Sequence, residues 1–310
     1  MERVLDTFWL RPAAIADCTD LKQLIAACDM DDFGTSEFAL EIEEILPKLP
    51  MDANTWVVLT EANQIAAFAF VEEISAGRLD TYGFVHPSYK GHGLGQLLVA
   101  RAEGRGREYA GDYKKRGIEY EFNQLVPREN LAANQLLQQR DYTFKRLYSV
   151  MKIRVTDPPA ATEMPEGFRI RNYEAGSDDR ALYEAYNEAF QDSRGFFQKP
   201  FEEWMQEKTA PSFDRSLWYV AMDGTDLAGF ILCKQPDPYV WIDLLGVKRS
   251  ARKKGVAKAL LEQTFRECHQ RGTPDVALSV DANSLTKANR LYENVGMSPA
   301  FQVSLYQKKL

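Results

Sequence analysis

The sequence predicts an α/β (α+β) fold built from two tandem copies of one domain, each a mixed sheet flanked by helices. Three observations predict this architecture. The chain has 310 residues, about twice the length of a common domain. Landmarks recur along it in the same order, and within each recurrence β-rich runs alternate with helical runs.

The repeat rests on three pairs of matching segments that lie about 160 positions apart. In the middle pair, VHPSYKGHGLGQLL begins at Val85 and VKRSARKKGVAKALL begins at Val247. Upstream, the segment LRPAAIADC matches IRNYEAGSD, and downstream NLAANQLL matches LTKANRLY. Three landmarks in one order indicate a duplicated domain.

A proline-containing segment separates the copies. Residues 156–167 read TDPPAATEMPEG, and prolines among small residues suit an extended linker. The predicted domains are therefore residues 1–155 and 168–310. An alternating segment precedes the linker (RLYSVMKIRV), and another ends the chain (FQVSLYQKKL). We expect each segment to be the closing strand of its own copy.

Each copy shows the same order of elements: a strand, two helices, a hairpin, a long strand, a glycine-rich turn, a helix, a strand, a helix and a closing strand. The hairpin is clearest in WYVAMDGTDLAGFILC, where Asp223 and Gly224 join two β-rich runs. Its counterpart in the first copy is WVVLTEANQIAAFAFV. The strand VWIDLLGV follows, and Val256, Ala259 and Leu260 give the next helix an apolar face.

Composition argues against several classes of protein. A formal net charge of −7 disfavours nucleic-acid binding and weakly favours cationic small substrates. No apolar run approaches the ~20 residues that cross a bilayer, and the start MERVLDTFWLRP has no export signal. We therefore expect a cytoplasmic protein that binds neither nucleic acid nor membrane. The 4 cysteines and 3 histidines lack ligand spacing, so we expect reduced thiols and no metal site.

The residues that carry chemistry lie where a strand ends and a helix begins. This turn comprises Arg252, Lys253, Lys254, Gly255, Val256 and Ala257 in the second copy, and Lys90, Gly91, His92, Gly93, Leu94 and Gly95 in the first. Glycine lets the backbone turn tightly, and the free N–H groups of a helix start together with basic side chains suit a diphosphate. Dinucleotide-binding folds also contain G-x-G, but neither G-K-[ST] nor an early βαβ unit is present. The alternative is a simple connection with solvated lysines.

These motifs resemble those of the GCN5-related N-acetyltransferase superfamily, over nearly the whole chain and in both copies. The family signature is [RQ]-x-x-G-x-[GA] after a V-x-P-like strand end. The second copy matches it at Val247, Arg252, Gly255 and Ala257, and the first copy at Val85, Pro87, Gly93 and Gly95, with Lys90 at the basic position. The tandem arrangement is similar in architecture to that of mycothiol synthase.

The resemblance implies a mostly antiparallel, splayed sheet and acetyl-CoA as the cofactor. Coenzyme A would lie between the fourth and fifth strands of a copy, with its diphosphate on the glycine-rich turn. Main-chain groups of Leu245 and Val247 would hold the pantetheine arm, and the N–H at Leu245 would polarise the thioester carbonyl. Asn283, in the second family motif, is a further expected cofactor contact.

The second family motif implies an acid. It appears here as Asn283, Ala288, Leu291, Tyr292, Gly296 and Met297. Tyr292 stands where the family usually has a tyrosine that protonates the departing thiolate, and a phenol can donate that proton. The first copy has Leu137 at this position, so we expect catalysis in the second copy and a structural, coenzyme-A-retaining or regulatory first copy. Tyr142 is an alternative acid in the first copy.

An acceptor amine is mostly protonated near neutral pH, so a base or a proton relay must act before the amine attacks. Asp243 is our candidate because it is the charged residue of the apolar strand VWIDLLGV, and related enzymes often carry an acid there. A structural role, with Asp243 paired to an arginine or capping a bulge, is an equal alternative. Asp281 is a second candidate, although it fits a turn better.

The sequence leaves the acceptor open. The segment between the first two helices of the second copy mixes aromatic and acidic residues, namely Phe196, Phe197, Phe201, Trp204, Asp192, Glu202 and Glu203. They suit a small-molecule or peptide amine, or else the segment is an amphipathic helix that covers the sheet. Monomer and homodimer both agree with the sequence. A non-catalytic sensor or scaffold that binds coenzyme A is the alternative to an enzyme.

Overall fold

A computed structural model describes residues 1–5, 7–36, 40–157, 159, 164, 166–193, 196–236, 239–282 and 288–310. The chain forms two compact units. Unit 1 contains Met1–Tyr148 and Phe301–Leu310, and unit 2 contains Ser149–Ala300. Half of the predicted linker, and Asn283, lie outside the described residues.

The order of elements in the first copy recurs in the second, as the sequence predicts. The strands are β1 (Glu2–Val4), β2 (Phe8–Arg11), β3 (Thr55–Thr60), β4 (Ile65–Ser75), β5 (Arg78–Val85), β6 (Glu121–Pro127), β7 (Thr143–Arg154), β8 (Phe168–Asn172), β9 (Tyr219–Asp223), β10 (Asp226–Lys234), β11 (Val240–Val247), β12 (Asp275–Asp281) and β13 (Ser298–Lys308). The α-helices are α1 (Cys18–Phe33), α2 (Ile42–Ile45), α3 (Met51–Asn54), α4 (Leu94–Lys115), α5 (Leu131–Gln139), α6 (Asp179–Phe190), α7 (Phe201–Glu207), α8 (Val256–Arg271) and α9 (Ala288–Asn294). The recurrence runs from β2 to β7 and again from β8 to β13. It departs from the predicted order at one place, because three helices (α1 to α3) follow β2 whereas the predicted two (α6 and α7) follow β8.

Each unit contains one mixed sheet. In unit 1 the strand order is β1-β2-β3-β4-β5-β6-β13, and all neighbours are antiparallel except the parallel pair β5 and β6. In unit 2 the order is β7-β12-β11-β10-β9-β8, with β11 and β12 parallel and β8 to β11 antiparallel. The predicted mixed, mostly antiparallel architecture is confirmed.

The two closing strands are exchanged relative to our expectation. Residues 303–308 of β13, at the end of the chain, pair with β6 and so complete the sheet of unit 1. Residues 149–154 of β7 belong instead to unit 2 and lie beside β12. Both segments have the same alternating pattern, which predicts a strand but does not choose its partner. The units therefore differ from the predicted domains 1–155 and 168–310 at both ends.

Alternate residues of the central strand in each unit point to opposite faces of the sheet and meet different helices. In unit 2, Phe230 and Leu232 of β10 pack with Trp204 of α7 and with the buried side of α6. Ile231, between them, packs with Leu260 of α8. Helices α6 and α8 therefore cover the two faces of this sheet. Unit 1 is built in the same way with α1 and α4.

A partly buried ion pair recurs in both units, at the connection from strand to first helix. In unit 1 the guanidinium of Arg11 donates to both carboxylate oxygens of Asp17, at 2.7 Å each. In unit 2 Arg171 makes the same two contacts with Asp178, at 2.6 and 2.7 Å. Each carboxylate also accepts a backbone N–H of the connecting loop. The shared ion pair supports the duplication that the sequence indicates.

We expect this ion pair to make unit 2 sensitive to acid. Hydrogen bonds from Arg171 lower the pKa of Asp178, and burial opposes them only in part. A carboxylate with a lowered pKa stabilises the fold above its unfolded pKa of about 3.9, and this contribution is lost as the pH falls through the folded value. Asp178→Asn should therefore lower the free energy of unfolding at neutral pH by about 1.5–3 kcal/mol and flatten its decline in acid. Urea unfolding from neutral pH to about pH 2.5 measures both effects, and equal acid slopes would contradict the prediction.

Candidate functional site

Both glycine-rich turns have the same left-handed backbone conformation. In the second copy Lys253 and Gly255 have φ angles of 61° and 86°. In the first copy Gly91 and Gly93 have φ angles of 85° and 79°. Helix α8 begins directly after Gly255, and α4 directly after Gly93. The first N–H groups of a helix have no partner within it, so each turn presents donors for an anion.

Arg252 fixes the second turn to its surroundings. Its guanidinium donates to the carbonyl of Val247, 3.2 Å away, and to the carbonyl of Ala189 near the end of α6, 2.8 Å away. Lys253 and Lys254 are exposed. The exposed positive charge of this turn therefore comes from the two lysines. The hydrogen bonds of Arg252 fix the backbone conformation of the turn.

The first turn carries less positive charge. The ammonium of Lys90 lies 2.5 Å from a carboxylate oxygen of Asp31 and 3.4 Å from one of Asp32, both in the last turn of α1. Asp29 lies one turn earlier, and burial together with the neighbouring Asp32 raises its pKa to about 7. The ring of His92 is directed at the carbonyl of Lys90, 3.2 Å away. Because two acids face one lysine, the first turn attracts an anion less than the second turn does.

The other predicted contacts of the two turns offer mainly their backbone. Leu94 and Val256 open their helices with buried side chains, so only their main chain can meet a ligand. Gly95 and Ala257 follow them and are partly exposed. In the first copy the carbonyl of Val85 already accepts a hydrogen bond from a thiol of α1, at 3.3 Å.

The parallel strands separate where the cofactor is expected, and they separate earlier in unit 2. There β11 and β12 form two residue pairs, at 240–241 with 276–277, before the ladder ends. In unit 1, β5 and β6 form four pairs. The hydroxyl of Thr81 also bridges these strands by donating to the carbonyl of Asn123, at 2.8 Å. The gap between the two parallel strands beyond their last residue pair, here called the opening, is therefore longer in unit 2. The predicted splaying of the sheet is most developed there.

A bulge in β11 lies beside this opening. Leu232 of β10 faces Leu244, but the next residue of β10 faces Ile242, so Asp243 is the extra residue of the bulge. Ile242 and Leu245, although three positions apart, both pack on the α8 side of the sheet. The bulge thus resets the alternation of side chains, and the main chain of Leu245 runs along the opening.

Tyr292 lies on this same α8 side of unit 2. Its side chain is 9% exposed and packs in one cluster with Leu245, Val247 and Val256. The structure therefore brings the predicted acid together with three predicted cofactor contacts. Burial raises the pKa of Tyr292 to about 12, so the phenol keeps its proton at neutral pH.

The corresponding place in unit 1 holds no such group. Leu137 stands there with a side chain that is 1% exposed. Tyr142 is a poor replacement, because its hydroxyl oxygen is completely enclosed by the protein, so that a departing thiolate could not reach it. Burial and the nearby Glu103 raise the pKa of Tyr142.

Asp243 forms two ion pairs that the sequence did not predict. One carboxylate oxygen lies 2.9 Å from the ammonium of Lys208, and the other lies 3.6 Å from that of Lys234. Lys208 follows α7 directly and is 9% exposed. Lysines thus take the place of the expected arginine. The contact joins residues 35 positions apart, so no local pattern could have revealed it.

Aromatic rings from α6, α7 and the segment between them form one wall near Lys208, the ion-pair partner of Asp243. The ring centroid of Tyr186 lies 5.1 Å from that of Trp204 and 5.7 Å from that of Phe196. Trp204 is 2% exposed and packs on the sheet. Its helix therefore covers the sheet, as in the second of our two interpretations, while Tyr186 is half-buried at the edge of the cluster.

The acids that we considered as acceptor contacts lie elsewhere. Glu202 and Glu203 are exposed on α7. Asp192 forms an ion pair with Arg249 on the outer surface of unit 2. The described charged groups near the aromatic rings are instead the buried Lys208 and the partly buried Asp243 and Lys234.

Among the residues with described positions, no group of three or more His, Cys, Asp or Glu side chains could hold a metal ion. No helix in the described ranges is both long and apolar enough to cross a membrane.

Comparison with known proteins identifies the family of the chain. The profile of the acetyltransferase (GNAT) family matches residues 180–297, which lie within unit 2. A solved GCN5-related N-acetyltransferase from Sphaerobacter thermophilus is 32% identical to this chain, with a TM-score of 0.85 and coverage of 98% of this chain and 96% of its own. The chain belongs to the GCN5-related N-acetyltransferase family. It is therefore an acyltransferase of the GNAT type, and its predicted tandem GNAT architecture is confirmed.

Two further GNAT relatives are similar over most of the chain. A mycothiol acetyltransferase from Thermobispora bispora is 28% identical over 252 residues, which are 78% of this chain and 80% of the relative. A tandem GNAT protein from the clavulanic acid biosynthesis pathway has a TM-score of 0.74 at 13% identity and covers 97% of this chain and 98% of its own. The second likeness concerns the fold alone.

Proposed function

We propose that this GNAT protein transfers an acetyl group from acetyl-CoA to the amine of a small molecule or peptide, and that unit 2 performs the reaction. The observation that carries the proposal is the position of Tyr292, which belongs to the same hydrophobic cluster of unit 2 against which Leu245 and Val247 of β11 pack. Unit 1 has the buried Leu137 at the corresponding place.

The residues of unit 2 fit coenzyme A. The left-handed turn at Gly255 and the helix start after it provide N–H donors for a diphosphate, and Lys253 and Lys254 provide positive charge. Beyond its two pairs with β12, β11 has main-chain groups on that edge for the amides of a pantetheine arm. Leu245 and Val247 lie on this stretch, so they remain our proposed contacts for that arm.

The proposed mechanism assigns one task to each group. Acetyl-CoA would supply the acetyl thioester. The N–H of Leu245 would hydrogen-bond to the carbonyl oxygen and stabilise the charge that develops there during attack by the amine. Tyr292 would donate its phenol proton to the departing sulfur. Asp243, whose side chain is 19% exposed, would take the amine proton through water, with Lys208 holding the carboxylate in place.

The proposal is tested by mixing the protein with acetyl-CoA and a panel of primary amines. We expect free thiol to appear faster with at least one amine than without any, and mass spectrometry to find that amine acetylated. A protein that binds acetyl-CoA but releases no thiol with any amine would be a sensor or scaffold, contrary to the proposal.

A further inference from the structure

We propose that Lys234 binds an anionic group of the acceptor, so that the acceptor is an amine that also carries a carboxylate. The inference rests on the proposed function and names the substrate class of the same site. Lys234 ends β10, and its ammonium lies 3.6 Å from an oxygen of Asp243 and 4.9 Å from the ring centroid of Phe213. The residue belongs to none of the motifs that identify the family.

Within the described ranges of the chain, the ammonium of Lys234 has unused hydrogen-bonding capacity. A lysine carries three N–H donors, and the 3.6 Å that separates this one from Asp243 exceeds hydrogen-bond distance. Lys208, in contrast, donates to the same carboxylate at 2.9 Å. The side chain of Lys234 is only 23% exposed, so bulk water surrounds its charge incompletely. A partly buried cation with donors to spare favours an anionic ligand.

The charges around Lys234 do not cancel. Lys208 and Lys234 bring two positive charges to the single carboxylate of Asp243. Glu207, which precedes Lys208 in the chain, pairs with Lys199 instead. Among the residues that the structure describes, one positive charge is therefore in excess at this place, and a carboxylate on the acceptor would balance it.

Aromatic neighbours lower the polarity of the surroundings of this excess charge. The ammonium of Lys208 lies 5.0 Å from the ring centroid of Phe213 and 5.8 Å from that of Trp204. Because Phe213 also lies under Lys234, both ammonium groups border a surface of low polarity. Electrostatic attraction for an anion is larger there than in open water. The sequence suggested that acids accompany the aromatic rings at the acceptor site. The structure instead places excess positive charge beside these rings.

The position of Lys234 sets the spacing of the two groups in the acceptor. Its ammonium reaches Asp243, which lies two residues before Leu245 on β11. A strand rises about 3.3 Å per residue, so the carboxylate would lie about 7 Å from the place where Leu245 holds the thioester. The adjacent amine and carboxylate of an α-amino acid are closer than this. An acceptor with several bonds between the two groups fits better.

The test uses ω-amino acids and alkylamines of matched, increasing chain length as acceptors. We expect the wild type to acetylate 6-aminohexanoate with a kcat/KM about tenfold to a hundredfold above that for hexylamine. Lys234→Met keeps the aliphatic stem but removes the charge, so it should raise the KM for 6-aminohexanoate and bring its kcat/KM close to that for hexylamine. Any effect of the lost charge on the neighbouring Asp243 acts on both acceptors and cancels in this ratio. Lys234→Arg should retain the preference. Lys115→Met, at an exposed lysine of unit 1, is the matched control and should change neither acceptor.

Turnover of hexylamine shows in each variant that the protein is folded and that acetyl transfer occurs. Equal efficiency for the two acceptors in the wild type, or an unchanged preference in Lys234→Met, would overturn the assignment of Lys234 while leaving the proposed function intact. Failure of the wild type to acetylate any amine would overturn both.

Discussion

Replacement of Tyr292 by phenylalanine is expected to lower kcat about a hundredfold to ten-thousandfold and to leave the affinity for acetyl-CoA nearly unchanged. The variant loses one hydroxyl from a side chain that is 9% exposed, so the packing around Leu245 and Val247 is preserved. The proton for the departing sulfur would then have to come from water. Steady-state kinetics gives kcat, and calorimetric titration with acetyl-CoA gives the affinity.

Unit 1 offers a matched control for this experiment. Tyr142→Phe also removes one buried phenol hydroxyl, and that hydroxyl has no hydrogen-bond partner among the described residues, so kcat should stay at the wild-type value.

Because the pKa of Tyr292 is about 12, the phenol should not limit kcat by losing its proton between pH 6 and 9. Wild-type kcat in Tyr292→Phe would remove the acid from the mechanism while leaving the enzyme class intact.

The repeat and the turns could be predicted from the sequence because local rules govern them. Left-handed backbone, as at Gly91, Gly93 and Gly255, strongly favours a residue without a Cβ, so glycine marks these positions. Lys253 also adopts this conformation, although the same position in the first copy is glycine. The shared spacing, rather than each residue alone, predicted that the two turns would have the same shape.

The features that the sequence missed depend on contacts between distant segments. Asp31 and Asp32 read as ordinary charges at the end of a helix, yet they pair with Lys90 across nearly 60 positions of chain. Lys208 and Lys234 likewise meet Asp243 only after α7, β10 and β11 have packed. The strand at residues 303–308 has a clear β pattern, but β6 becomes its partner through tertiary structure alone.

Replacement of Gly255 by valine is expected to weaken acetyl-CoA binding by about a hundredfold or more and to abolish turnover at moderate cofactor concentration. A β-branched residue at a φ of 86° is strongly disfavoured, so the turn must change its conformation and move the N–H donors of α8. Calorimetric titration measures the loss. Thermal unfolding of the variant shows whether the change is confined to the turn.

Gly93→Val places the same strain at the corresponding position of the first copy, where φ is 79°. We expect it to leave the tight binding of acetyl-CoA in place, with one cofactor per chain in native mass spectrometry of both the wild type and this variant. Two cofactors in the wild type, one of them lost in each variant, would show that both turns hold coenzyme A. The two turns share one backbone conformation, so we attribute a difference between the variants to the carboxylates of Asp31 and Asp32 beside Lys90 and to the longer ladder of β5 and β6. Replacing both acids by asparagine should then raise the affinity of the first turn for the cofactor.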